Sequence, residues 1–242
     1  RRGMEDGAVG LATGMSYFPN AWSDTEELIE LCKVVAEYQG VYVTHLRDKN
    51  TDRAFGDGGV PEALEIGRKS GVKVHFSHFR TDEGTAGQVQ ARTELIDEAI
   101  NEGVDVSLEL YPYPTGSTFP LSFLPSYAHE GGPEAVMDRL RDLDERKRLS
   151  DYLDNDYPRP IHDAVFSYVP MNQELEGMSL PQAASLRGKS LGETLCEILF
   201  ENEGQVGYWG SPPVSISIWD QINRDAMELL SRPDYMVGSD SI

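Results

Sequence analysis

VYVTHLRDKN (residues 41–50) begins as a run of β-formers, stops at a histidine and passes directly into Arg47 and Asp48. VKVHFSHFR (residues 72–80) does the same, ending on His78 and Arg80. Each run is preceded by an amphipathic stretch that closes on a glycine. In SDTEELIELCKVVAEYQG, Leu28, Leu31, Cys32, Val35 and Ala36 fall on one helical face, Ser23 and Glu26 have capping-box spacing, and Gly40 is placed to end the helix. A second helix through Leu64 and Ile66 ends at Gly71. A third, through Leu95, Ile96, Ala99 and Ile100, ends at Gly103 before VDVSLELY. A unit of helix, glycine, Val-x-Val strand and polar loop, returning every thirty-odd residues, is the pattern of successive crossovers between parallel strands of one sheet.

Working outward, GAVGLATGMSY (7–17) reads as an earlier strand, and DAVFSYV (163–169) and DYMVGSD (234–240) as later ones, with GQVGYWG a weaker candidate. Helices are expected at 133–153, 190–202 and 219–231. The strands read as apolar on both faces, as a helix-covered parallel sheet requires. The Pro- and Gly-bearing tract 111–133 follows a strand end and reads as an active-site loop rather than a linker. One α/β domain over 1–242 is the economical expectation. Five or six strands are too few for a closed eight-stranded barrel, and both chain ends look cut, so the later part of an incomplete (β/α)8 barrel is favoured over an open doubly wound sheet.

Composition narrows the function classes. Against 41 acidic side chains stand 21 basic ones, a formal net charge of −20 and a pI near 4.5. Such a chain repels nucleic acid and anionic membranes. The sparse lysines (Lys33, Lys49, Lys69, Lys73, Lys147, Lys189) suit a salt-adapted surface or, equally, an ordinary acidic cytoplasmic protein. The first residues lack the apolar segment of a signal peptide. The two cysteines, Cys32 and Cys196, read as small buried hydrophobes of a reducing compartment.

Alternation groups Val41, Val43 and His45 on one side of their strand, and Val72, Val74, Phe76 and His78 on one side of the next, with His75 opposite as a packing residue. Both His45 and His78 thus end strands at the edge where parallel α/β folds bind ligands. Two imidazoles on neighbouring strand ends can share a metal, zinc being the best match; alternatively each caps the core through a carbonyl. Asp240 ends its strand likewise and could take a proton from metal-activated water, or serve as a turn aspartate. Arg47, Arg80, Glu109, Tyr111 and Ser117 are the other polar groups at or beyond strand ends. Arginine grips a carboxylate through two parallel hydrogen bonds, though a surface ion pair with Asp48 or Asp82 is the plainer use. Neither a P-loop nor a Gly-x-Ser-x-Gly elbow is present.

Taken in order, GLATGMSY, SDTEELIELCKVVAEYQGVYVTHLRD, EALEIGRKSGVKVHFSHFR, YPYPTGST and MVGSD resemble the N-acyl-D-amino-acid deacylases (D-aminoacylases) of the amidohydrolase superfamily. The resemblance implies a metal-dependent TIM-like barrel that hydrolyses a small N-acyl-D-amino acid to a carboxylate and the free D-amino acid. It implies zinc ligation by His45 and His78, a catalytic Asp240, and substrate contacts from Arg80, Tyr111 and Ser117; Arg47 joins them as a substrate-binding candidate from its place past the strand end alone. The superfamily's His-x-His and a further upstream ligand are not found in this sequence. Two competing expectations follow: a related hydrolase of cyclic amides such as hydantoins, or a catalytically inactive barrel fragment. An open barrel would leave strand edges that favour pairing with a second copy.

Overall fold

The computed structural model describes every residue except Pro114, Arg159, Pro160, Ser211, Pro212, Val214, Ser241 and Ile242. Its strands are β1 (Gly10–Gly14), β2 (Val41–His45), β3 (Lys73–Phe76), β4 (Val106–Leu110), β5 (Ser117–Thr118), β6 (Ala164–Tyr168), β7 (Gly207–Gly210) and β8 (Tyr235–Val237). The chain packs as two compact units, residues 1–114 with 213–241, and residues 115–212, where the repeat had suggested one domain.

In the first unit β1, β2, β3, β4 and β8 form a parallel sheet in that order. The helices Thr25–Glu37, Gly59–Ser70 and Val89–Asn101 lie between successive strands, as the repeat predicts. Tyr42, Val74, Phe76 and Leu108 are fully buried in one core with Leu28, Cys32, Leu64, Ile66 and Ile96. The strands are not apolar on both faces. Val43 pairs with His75 and His75 with Ser107, so the other face carries His75, Ser107 and Glu109. Burial of the Cys32 thiol pushes its pKa up to about 12, the inert behaviour expected of a core cysteine.

Helix ends depart from the sequence in instructive ways. Asp24, not Ser23, caps the first crossover helix, accepting from Glu27 N–H at 2.8 Å. Ser23 instead offers its carbonyl to Arg47. Gly71 adopts the left-handed cap conformation (φ +73°), but before Gly40 it is Gln39 that does so (φ +57°). Gly40 is needed for space: a Cβ there would meet Val35 Cγ1 at 2.8 Å.

The second unit has a different plan. β5, β7 and β6 form an antiparallel sheet in that order, so 163–169 and 204–210 do not extend the parallel set. A short apolar run carries no label for strand direction, and this is where periodicity misleads. The expected helix 133–153 is two, Pro133–Arg141 and Leu143–Asn155, because Asp142 breaks out of helical geometry and caps the second one through Asp144 N–H and Glu145 N–H. Helices Leu180–Arg187 and Leu191–Glu201 complete a core around Phe166, Leu140, Leu149, Leu195 and Leu199. The 111–133 tract is not one loop: Tyr111–Tyr113 belong to the first unit, while 115–133 supply β5 and two 3-10 turns of the second. No helix among the described residues is long and apolar enough to cross a membrane.

Candidate functional site

β2 ends at His45 and β3 stops at Phe76, so strand register alone would leave His78 beyond its neighbour's reach. The chain resolves this by turning. Ser77 N–H still donates to Thr44 O at 3.1 Å, after which His78 enters the left-handed region (φ +39°) and Phe79 N–H rejoins Glu109 O at 2.9 Å. A histidine held there costs on the order of 1 kcal/mol, a strain retained where a side chain must be aimed. The result brings His45 Nδ1 and His78 Nε2 within 2.7 Å, with ring centroids 4.5 Å apart. Simple alternation is therefore corrected at this strand end: Val74 and Phe76 lie beneath the helices, whereas His75 shares the sheet face of His45.

The second nitrogen of His45 fixes the proton. His45 Nε2 lies 3.0 Å from Ser16 Oγ, and Ser16 donates its single hydroxyl proton to Leu46 O at 3.0 Å. Ser16 must then accept from His45 Nε2–H, which leaves the Nδ1 lone pair facing His78. A ligand histidine is normally oriented through its other nitrogen in this way. Burial pushes the His45 pKa down to about 4, with neighbouring His78 adding to the effect and Asp48 and Asp240 opposing it. Burial also lowers His78, against the pull of Asp240. Both rings are neutral near pH 7, the state a metal requires. Ser16 escaped sequence reasoning, although it follows β1 as His45 closes β2, a signal visible once Gly14 is paired with His45.

The remaining expected residues divide. Asp240 lies three residues beyond β8 in a left-handed conformation (φ +42°), exposed, and close enough to bias both histidines. Arg80 donates to Tyr113 O at 2.5 Å and its guanidinium lies 5.2 Å from the Tyr111 ring centre, with Leu110 and Ile222 lining the same small recess. Its loop is anchored by buried Asp225, which accepts from Thr81 Oγ1, Gly87 N–H and Gln221 Nε2. Burial alone would raise the Asp225 pKa; those three donors overcome it and hold the carboxyl below its usual range.

Arg47 is not a substrate group. It is 3% exposed, and its donors are taken by Glu62 (2.8 and 3.0 Å), Ala21 O (3.0 Å) and Ser23 O (2.7 Å). A guanidinium so committed pins the segment after His45 rather than greeting a ligand. Ser117 lies in the second unit, where its hydroxyl donates to Tyr208 O at 3.1 Å.

The two imidazoles are ligands of the kind zinc takes, and here they hydrogen-bond to each other, His78 Nε2–H donating to His45 Nδ1 at 2.7 Å; a shared tetrahedral zinc would replace that proton and part the two nitrogens to roughly 3.3 Å. They do not make a whole site: among the described residues no group of three or more His, Cys, Asp or Glu side chains is placed to hold a metal.

Comparison with known proteins bears out the resemblance seen in the sequence. The chain is 37% identical over 116 residues to D-aminoacylase from Alcaligenes xylosoxydans xylosoxydans and 35% identical over 116 residues to that organism's N-acyl-D-glutamate deacylase. The match takes in 48% of this chain, which spans only 23% of the length of each of these relatives. The crystal structure of N-acyl-D-glutamate deacylase from Bordetella bronchiseptica, complexed with zinc and a phosphonate mimic of the tetrahedral intermediate, superposes with a TM-score of 0.64 at 25% identity, covering 97% of this chain and 39% of that one. A crystal structure of D-aminoacylase gives a TM-score of 0.64 at 26% identity, covering 98% and 40%. No protein-family model matches.

Proposed function

We propose that the parallel-sheet unit carries part of the catalytic centre of a zinc-dependent amidohydrolase acting on N-acyl-D-amino acids. The observation that carries this reading is the convergence of His45 Nδ1 and His78 Nε2, both in neutral rings, at the C-terminal edge of a parallel sheet. The relatives named above are deacylases of linear acyl-D-amino acids, which supports an open-chain amide over a cyclic one. Five parallel strands in chain order suit an arc of a TIM-like barrel.

His45 and His78 would hold the zinc, oriented through Ser16 on the His45 side. The chemistry a bound zinc supplies is Lewis acidity toward a water and an amide carbonyl. Asp240 accepts the proton of the attacking water and returns it to the departing amine nitrogen as the C–N bond breaks, so that a carboxylate and a free amine leave. Arg80, with Tyr111 at its side, binds the substrate carboxylate and so orients the chiral centre.

Release of free amino acid from N-acetyl-D- and N-acetyl-L-amino acids tests the reading. The D series is expected to be hydrolysed in preference to the L series. Asp240→Asn should lower turnover by roughly 10²–10⁴-fold with zinc retained. Full activity in that variant would remove Asp240 from its role.

A further inference from the structure

Glu109 is a carboxylate on the sheet face that also carries His75 and Ser107, in register with Met236 of β8. His75 Nε2 lies 3.4 Å from its Oε2, and His75 Nδ1 in turn lies 2.8 Å from Ser107 Oγ. Both side chains are largely covered, at 10% exposure for His75 and 22% for Glu109. The far end of Glu109 presses on Gly238. A Cβ at that glycine would sit 2.3 Å from Glu109 Oε2, 2.4 Å from Cδ and 2.8 Å from Oε1. Gly238 N–H donates to Leu110 O at 3.1 Å, the last rung joining β8 to β4, and Asp240 follows two residues later in its left-handed conformation.

From this juxtaposition we infer that Glu109 is a positioning residue for Asp240. Braced by His75 and Ser107, its carboxylate fills the place a side chain at 238 would take and so sets where the Gly238–Asp240 turn leaves the sheet. The glycine is required because backbone and carboxylate meet at contact distance, while its own φ is not in the left-handed region. Reactive geometry tolerates little displacement, since a misplacement near 1 Å can cost about 10²-fold in rate. The inference rests on the assignment of Asp240 made above.

The test is a cycle of Glu109→Ala, Gly238→Ala and the double variant, with Glu109→Gln as the conservative control. It is read by amide hydrogen exchange of residues 236–240 and by kcat and KM on an N-acetyl-D-amino acid. Each alanine substitution is expected to raise exchange in 236–240 and to lower kcat about ten-fold or more, with KM and thermal midpoint little changed. Glu109→Gln, which keeps the shape, should restore most of both. The double variant should be less impaired than the product of the singles, because the new methyl occupies space the carboxylate vacated. Independent effects, or single variants with unaltered exchange at 236–240, would overturn the inference. If neither wild type nor Asp240→Asn shows turnover, the functional reading fails, and the exchange cycle still decides whether Glu109 holds the turn.

Discussion

The two units of this chain put similar shares of apolar sequence to different ends. In residues 115–212 the buried set is mostly hydrophobic, with Phe166, Leu140, Leu149 and Leu199 at or near zero exposure, and its buried polar residues are the uncharged Ser150, Thr194 and Asn202. There the charged side chains pair on the outside, as Arg187 does with Glu201 and Lys147 with Asp151. The parallel-sheet unit instead carries polar groups inward: His45 on Ser16, Arg47 on Glu62, His75 on Ser107 and Asp225 on Thr81. Burying polar groups costs free energy unless each finds a partner, so a unit that does it repeatedly is spending stability on geometry. The contrast identifies the unit in which to look for chemistry.

That contrast can be broken most forcefully at its two cores. Phe166→Ala removes a fully buried ring and should destabilise the 115–212 unit by about 3–5 kcal/mol. Thermal unfolding with exchange mass spectrometry should locate the loss there while zinc uptake by the sheet unit persists; lost zinc uptake would make the division of labour false. Arg47→Met strips the partner from buried Glu62, a break worth about 3–5 kcal/mol. It should raise exchange in the segment after His45, with no selective rise in KM among substrates that differ in their carboxylate. A rise confined to carboxylate substrates would return Arg47 to the binding site.

A smaller effect concerns protons. His45 titrates near 4 in the folded protein against about 6.5 when exposed. The unfolded chain therefore binds the proton first as pH falls. Stability is little affected by this group above about pH 7.5 and declines from there toward pH 4, by about 3 kcal/mol. Denaturant midpoints across that range should fall in wild type and fall less in His45→Gln; equal slopes would mean the ring is not held neutral.

How much of this was legible follows the same division. The glycines at 40, 71 and 103 and the Val-x-Val runs after them announced three parallel strands, and GAVGLATGMSY a fourth beside them, because crossover helices and buried parallel strands leave a period that local sequence preserves. β6 and β7 have comparable apolar runs, but strand direction depends on distant pairing and leaves no such mark. At the site, the two histidines could be named from their places at strand ends. Their contact could not, since it depends on a left-handed turn at a residue that is not glycine. Arg47 shows the opposite failure: a charged residue just past a strand end resembles a ligand group until its partner, Glu62 on the next helix, is seen.

The central claim is that His45 and His78 act together as nitrogen ligands of one zinc ion. Equilibrium dialysis followed by elemental analysis, on wild type, His45→Ala, His78→Ala and the double variant, tests it most directly. With two of a zinc site's protein ligands present, the account predicts weak but saturable zinc uptake by wild type at excess metal, lost to a similar extent in either single variant, with no further loss in the double. Zinc bound equally by all four proteins, or by none, would contradict it.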